Sequence, residues 1–164
     1  MAPPATEVLV NELAPGPGVG PAGLYASNAL RLSTQVPRWA ETAVPSRAPR
    51  DAGTIRFWAR PSRTGRRTAR LNPTEVAFLE VLSSWESVIE LPPAEARERL
   101  LELLASDAIS EDRLARAAAT EPASTRARLR ELLRPRGRDD LADRVPAPDP
   151  RPAAAAIRML AETE

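Results

Sequence analysis

Prolines divide this chain into short segments and limit the length of any helix that it forms. The 164 residues include 18 Pro and 7 Gly, and the segments between the prolines are rich in Leu, Ala and Arg. Proline ends or kinks a helix from within but is tolerated at the first helical position. The pattern predicts short helices separated by proline-marked joints and favours this arrangement over a sheet-rich fold.

The first part of the chain is predicted to form two short helices. Apolar residues recur at helical spacing over residues 5–13 and again over residues 22–30. The Pro-Gly run at residues 15–18 cannot continue the first helix, and Pro37 closes the unit that contains the second. The polar residues between 25 and 35 fit a structural joint whose hydroxyl groups satisfy the end of the second helix.

Two extended segments follow, at residues 38–44 and 54–59. In the second segment Ile55 and Phe57 alternate with Arg56 and Trp58, which is the period-two pattern of a half-buried strand. Since the two segments are separated by a short loop, we expect them to pair as a small antiparallel element.

Helical patterns dominate from residue 72 onward. Asn72, Pro73 and Glu75 have the spacing of a capping box with proline at the first helical position, and the helix that they start is predicted to run to about Trp85. Three further helices are expected to start at Pro92–Pro93, after Ser110 and at Pro122, the last of them ending near residue 134.

The fold class predicted from these elements is mainly α with a small β element (α+β), in which helices pack on a short antiparallel strand pair. One domain is expected over residues 1–137. After Gly137 the prolines of RVPAPDPRP indicate a stiff linker, so residues 138–164 are predicted to form a Pro-rich linker followed by a short helix over residues 152–161.

The residue types that this chain lacks exclude most enzyme chemistry. It contains no His and no Cys, and all 23 of its basic residues are Arg. Imidazole bases, thiolate nucleophiles and Schiff-base lysines are therefore absent, as are the usual zinc, copper and iron ligands. We expect a non-enzymatic protein with no catalytic residues, no metal and no cofactor.

No segment of the chain predicts contact with a membrane. The sequence has no run of about 18 apolar residues, and its first residues have neither a basic region nor a continuous apolar region of the kind found in signal peptides. The expected location is the cytoplasm.

The net charge of +1 conceals a strong segregation of charge. Residues 47–70 carry eight Arg and one Asp, which gives +7, whereas residues 75–112 carry ten acids and two Arg, which gives −8. Two interpretations stay open: the two segments face each other inside the fold, or the basic one contacts an acidic partner or nucleic acid. The candidate contact residues are Arg56, Arg60, Arg63, Arg66 and Arg67.

A second basic candidate is the helical stripe Arg126, Arg130 and Arg134. Like charges at this spacing destabilise a helix unless an acidic partner or ligand offsets them, which makes the stripe a candidate partner surface. The carboxylates at residues 95, 98 and 102 are expected to form an ordinary solvated helix face.

The segment PAGLYASNALRLSTQVP resembles a pattern found in AbiEi-type antitoxins, in which Pro-x-Gly and Ala-x-Asn precede Leu-Ser-Thr-Gln-Val-Pro. Later stretches, RFWARPSR, LNPTEVAFLEVL and TRARLRELL, resemble that family in the same order, although Arg130 stands where a Gly is usual. The matching motif residues include Gly23, Asn28, Ser33, Thr34, Gln35 and Pro37.

The resemblance implies an antitoxin that counteracts a nucleotidyltransferase-like toxin, either by contacting the toxin or through the toxin's target. Members of the family usually carry an N-terminal winged helix that represses the operon, and this chain begins directly at the C-terminal antitoxin region. An antitoxin domain without that helix is therefore the leading expectation. The alternative is a DNA-binding autorepressor of the operon that uses residues 47–70.

Overall fold

The computed structural model describes residues 6–161 of the chain, apart from the side chains of Met159 and Ala161. The fold is mainly α with a small three-stranded sheet, as the sequence predicts. The helices are α1 (Thr6–Leu13), α2 (Gly23–Ala29), α3 (Gly65–Thr68), α4 (Pro73–Ser83), α5 (Trp85–Val88), α6 (Pro93–Ala105), α7 (Glu111–Ala117), α8 (Ala123–Leu133), α9 (Asp139–Arg144) and α10 (Pro150–Ala161). The strands are β1 (Gly20–Pro21), β2 (Ala40–Val44) and β3 (Ile55–Ala59).

Most of these elements follow their sequence signals. The predicted capping box at the start of α4 is confirmed, because the Asn72 side chain accepts from the Glu75 N–H while the Glu75 carboxylate accepts from the Asn72 N–H. The helix expected to end near Trp85 is divided into α4 and the short α5. Residue 5, where the first helix was expected to begin, lies outside the described residues.

The predicted pairing of the two extended segments is confirmed, but the predicted antiparallel direction is wrong. β2 and β3 are parallel, with Thr42 opposite Phe57, and the two-residue β1 pairs antiparallel with the other edge of β2. Residues 45–54 make this possible because they turn back along the outer edge of β3. Ala52 forms a bridge with Ile55, and the Phe57 N–H donates to Asp51 Oδ1.

Helix α4 is the centre of the main core. All eight residues from Glu75 to Leu82 are buried, and α4 packs against β1, α2 and α8. A second, smaller cluster lies between the sheet and α1, where Val19, Val44, Ile55 and Phe57 are buried. The sheet therefore has its own apolar contacts beside the helical core.

The predicted linker after residue 137 contains α9 and packs on the domain. Leu141, Val145 and Leu160 are almost completely buried and belong to the same apolar cluster as α4 and α8. The short helix expected at residues 152–161 begins slightly earlier, at Pro150. Within the described residues this segment covers the core instead of extending away from it.

Substitution of Leu141 tests whether this segment contributes to stability. Leu141 is 1% exposed, so Leu141→Ala should lower the free energy of unfolding by about 2–5 kcal/mol through lost burial and the cavity left behind. Chemical denaturation followed by circular dichroism measures the change. The control is Val36→Ala, at a position that is 88% exposed, where a change within about 0.5 kcal/mol is expected. Equal stability of both variants would show that the segment is not docked.

Candidate interaction surface

Three of the candidate arginines lie in a buried ionic cluster, which consists of Arg60, Arg63, Arg66, Glu80 and Glu121. Arg66 lies on the short α3, and Gly65 before it allows α3 to approach the turn after α7. A Cβ at Gly65 would lie 2.7 Å from the Ala117 carbonyl oxygen, and the Gly65 N–H donates to Thr120 Oγ1 at 3.0 Å. This contact places the Arg66 side chain in the interior.

The guanidinium of Arg66 connects two buried carboxylates. Its Nε and Nη2 donate to the two oxygens of Glu121, each at 2.9 Å, and its Nη1 donates to Glu80 Oε2 at 2.6 Å. Arg60 donates to both oxygens of Glu80, at 3.1 and 3.0 Å, and Arg63 donates to Oε2 at 3.3 Å. Each carboxylate in the cluster thus receives at least two charge-assisted hydrogen bonds.

The electrostatics of the ionic cluster favour the charged forms of Glu80 and Arg66. Burial is the largest influence on Glu80 and disfavours its charged form, but the hydrogen bond from Arg60 and the charges of Arg66 and Arg60 outweigh it and hold the pKa of Glu80 below its ordinary value. Burial likewise opposes the charge of Arg66, yet hydrogen bonds and charges from Glu121 and Glu80 raise the pKa of Arg66. Burial, followed by the charge of Arg66, lowers the pKa of Arg63.

This cluster corrects part of the predicted contact surface. Arg66 is fully buried and is not available to a partner, because both ends of its guanidinium are occupied by carboxylates of the same chain. Arg60 and Arg63 keep some exposure, but both are paired with Glu80. The basic segment is therefore neutralised in part inside the fold, by Glu80 of the acidic segment and by Glu121.

The stripe on α8 also binds its own chain. Arg126 donates to the carbonyls of Glu121 and Pro146, and Arg130 donates to those of Ala142 and Val145. Arg134 pairs with Asp139 and Asp143 on α9. The sequence predicts an acidic partner or ligand for these arginines, whereas the structure supplies acceptors from the same chain, chiefly from the segment at residues 139–146. The stripe that was predicted to bind a partner therefore attaches the C-terminal segment to α8.

Four of the six motif residues meet at a joint between α2 and α5. Asn28 donates to the carbonyl of Gln35 at 3.0 Å, and the Ser33 and Thr34 hydroxyls donate to Glu90 at 2.6 and 2.9 Å. These two hydrogen bonds, that of Ser33 first, hold the pKa of Glu90 below its ordinary value. The residues form a structural joint, as predicted, but their hydroxyls bind Glu90 and not the end of α2. The joint ties the segment between α2 and β2 to the residues that follow α5.

The other two motif residues, Gly23 and Pro37, flank this joint. Gly23 begins α2 with a φ of +54°, and a Cβ there would collide with the Glu41 carboxylate. Pro37 lies half-buried at the far end of the joint, directly before the residues that lead into β2. The positive φ gives Gly23 a local structural role.

An exposed surface of tryptophan and arginine lies beside the joint. We call Val36, Arg38, Trp39, Arg56 and Trp58 the Trp–Arg patch. The Arg56 guanidinium carbon lies 3.7 Å from the centroid of the Trp39 ring, and that of Arg38 lies 5.0 Å from it. Both distances are within the range of cation–π interaction.

Strand β3 directs the rest of the patch outward. Arg56 and Trp58 are exposed on the face opposite to the buried Ile55 and Phe57, and Trp58 donates its ring N–H to Glu41 Oε1 at 3.2 Å. Exposure reaches 46% for Trp58 and 88% for Val36. The alternation along residues 55–59 predicts the outward face of β3, whereas the contribution of Arg38 and Trp39 was missed because it depends on the parallel register of β2 and β3.

Of the predicted contact residues, Arg56 lies in the patch and Arg67 lies elsewhere. Arg67 is exposed and donates to Ser46 Oγ at 3.0 Å.

Among the described residues no group of three or more carboxylates could hold a metal ion. The carboxylates of residues 95, 98 and 102 are exposed along α6, as predicted for a solvated face. None of the described helices is long and apolar enough to cross a membrane.

Comparisons with known proteins add one structural similarity. No protein-family model and no curated protein matches this chain. The crystal structure of the RV2827C protein from Mycobacterium tuberculosis is similar at 19% sequence identity, with a TM-score of 0.44. The similarity covers 96% of this chain and 57% of that protein, so this chain spans a little more than half of its length. A similarity at this level supports no functional assignment.

Replacement of Glu80 tests the electrostatics of the ionic cluster. Because the pKa of Glu80 in the folded protein lies below its ordinary value of 4.5, the ionised carboxylate stabilises the fold fully above that value, and this stabilisation is lost as the pH falls through the folded-state pKa. The urea midpoint should therefore fall more steeply between about pH 6 and about pH 3 for the wild type than for Glu80→Gln.

The matched control for this measurement is Glu98→Gln. Glu98 is exposed on α6 and forms no ion pair among the described residues, so this variant should follow the wild-type curve. Parallel pH curves for Glu80→Gln and the wild type would contradict a stabilising ionised Glu80.

Proposed function

We propose that this chain is a non-enzymatic, cytoplasmic antitoxin-like protein that counteracts a nucleotidyltransferase-like toxin in a bacterial toxin–antitoxin system. The observation that carries the proposal is the AbiEi-like motif over residues 21–37. Its polar members Asn28, Ser33, Thr34 and Gln35 act together in one joint rather than as scattered matches. Motif residues that lie together in one joint of the fold support the resemblance better than matching residues at unrelated places would.

The Trp–Arg patch is the surface on which we expect this protein to act. Tryptophan and arginine are enriched among the residues that dominate binding energy at protein interfaces. Arg38 and Arg56 form no ion pair among the described residues, in contrast to the arginines of the ionic cluster. Two positive groups beside exposed apolar surface suit a partner that presents carboxylates around an apolar centre. The partner is the toxin itself or the toxin's target.

Rescue of growth in cells that express the neighbouring toxin tests this proposal. The wild-type chain should restore colony formation, whereas the double variant Arg38→Ala/Arg56→Ala should lose most of the rescue because it removes both unpaired charges of the patch. Loss of a dominant interface residue weakens binding by about 30-fold or more. Colony counts after toxin induction, with immunoblots for equal expression, give the readout.

The control for the rescue assay is Arg116→Ala, since Arg116 is exposed on α7, far along the chain from the patch, and forms no ion pair among the described residues. This variant should rescue like the wild type. Failure of the wild-type chain to rescue would refute the antitoxin role, whereas full rescue by the double variant would refute only the role of the patch.

Five exposed arginines in residues 47–70 favour a second candidate function, a DNA-binding autorepressor of the operon. They form no ion pair within the described part of the chain, so they remain free to neutralise phosphates. Arg60, Arg63 and Arg66 are excluded from this role by the ionic cluster. The five are Arg47, Arg50, Arg56, Arg67 and Arg70.

Salt dependence of promoter binding distinguishes this second candidate. If the five arginines contact phosphates, the logarithm of the binding constant should fall by roughly 0.9 per contact for each tenfold rise in salt. The double variant Arg47→Gln/Arg50→Gln should make that slope shallower by the amount expected for two contacts. Fluorescence anisotropy with a promoter duplex measures the slope. Absence of binding, or a slope near zero, would eliminate the autorepressor.

A further inference from the structure

A cleft of about 970 Å³ lies between α1, α2 and the start of α4. Its lining includes Val10 and Asn11 of α1, Tyr25 of α2, and Arg70 and Thr74 around the start of α4. The cleft is separate from the Trp–Arg patch, none of whose residues lines it.

The volume of this cleft is too large for a packing defect. Protein interiors are packed about as densely as organic crystals and contain few voids larger than a water molecule. Clefts of roughly 300–1,000 Å³ are typical of sites that bind small molecules. Helix α1 leaves the space open because none of its residues is buried, although Leu9 and Val10 pack on the smaller apolar cluster.

Two polar groups in the lining have no partner among the described residues. The hydroxyl of Tyr25 forms no hydrogen bond there, although the side chain is half-buried, and burial followed by the charge of Glu7 raises its pKa, which keeps it a hydrogen-bond donor. The guanidinium of Arg70 forms no ion pair or hydrogen bond, unlike Arg60, Arg63 and Arg66 before it in the chain. Both groups line the same cleft.

The backbone at Arg70 adds a further constraint. Arg70 has a φ of +59°, in the left-handed region that residues other than Gly and Asn rarely adopt. A Gly or Asn would relieve this strain, but neither would supply a cation to the cleft. Strain of this kind is a reason to look for function at the residue that bears it.

We propose that this cleft binds a small organic anion, a molecule with an apolar body and one carboxylate, sulfonate or phosphate group. The anionic group pairs with Arg70, and the apolar body lies against Val10, Val19 and Leu71. Glu7 on α1 lines the cleft near Tyr25, so its charge disfavours an anionic group at the Tyr25 end and favours one at Arg70. This site is independent of the antitoxin proposal.

Binding of 1-anilinonaphthalene-8-sulfonate to the purified full chain tests the site. This probe has an apolar body and one sulfonate, and its fluorescence rises when it leaves water. The wild type should bind it saturably with one site per chain. The variant Arg70→Asn should weaken binding by about tenfold, because it removes a charge-assisted hydrogen bond. Asn tolerates a positive φ, so this variant should fold at least as well as the wild type.

The structure offers a matched control in Arg31→Asn. Arg31 is also exposed with a positive φ, of 61°, but does not line the cleft, so this variant should bind the probe like the wild type. A third variant, Ala29→Trp, places a large side chain in the lining and should abolish binding.

Any of these results would overturn the proposal: no saturable binding by the wild type, equal weakening by Arg70→Asn and Arg31→Asn, or undiminished binding by Ala29→Trp. The neutral probe N-phenyl-1-naphthylamine separates the contributions of charge and apolar surface. Arg70→Asn should leave its binding unchanged, and a tenfold loss would show that Arg70 does not act through the anionic group.

Discussion

A guanidinium group without contact with water determines how the parts of this fold come together. Arg66 on α3 binds Glu80 on α4 and Glu121 after α7, so three segments of the chain supply one set of charges, with Arg66 and Glu121 55 residues apart. An unpaired charge at such a position is very costly, and removal of one partner from a buried pair costs about 3–5 kcal/mol. The segments therefore cannot shift relative to one another without exposing or isolating a charge, which fixes α3 against α4 and leaves the sheet beside them.

Arginine has the same internal role at the C-terminal end, with main-chain carbonyls as acceptors. Arg128 is buried and donates to the carbonyls of Leu82 and Ala156, which joins α4 and α10 through α8. Together with Arg126 and Arg130 it binds four carbonyls of the segment that follows α8, those of Ala142, Val145, Pro146 and Ala156. In a chain without Lys, guanidinium groups supply both the internal cross-links and the exposed charges, and composition alone does not separate the two.

Local signals predicted the helices well, and long-range contacts decided the rest. The capping residues around Asn72 and the alternation at Ile55 and Phe57 depend on neighbouring residues only, so the sequence identifies them. The direction of β3 depends on how residues 45–54 turn back, and the fate of Arg66 depends on Glu121, 55 residues later. The Trp–Arg patch was only half predictable for the same reason, since Trp39 and Arg56 meet through strand register.

The docking of α9 and α10 has a consequence for synthesis on the ribosome. These helices are synthesised after α8, and until they emerge, the apolar face of α8 around Leu132 and Leu133 has no cover from them. A nascent or truncated chain that ends near residue 137 would therefore present apolar surface to chaperones and proteases. Quality control in the cell would then favour chains synthesised through residue 160, and the amount of folded protein would depend on translation through α10 as well as on transcription.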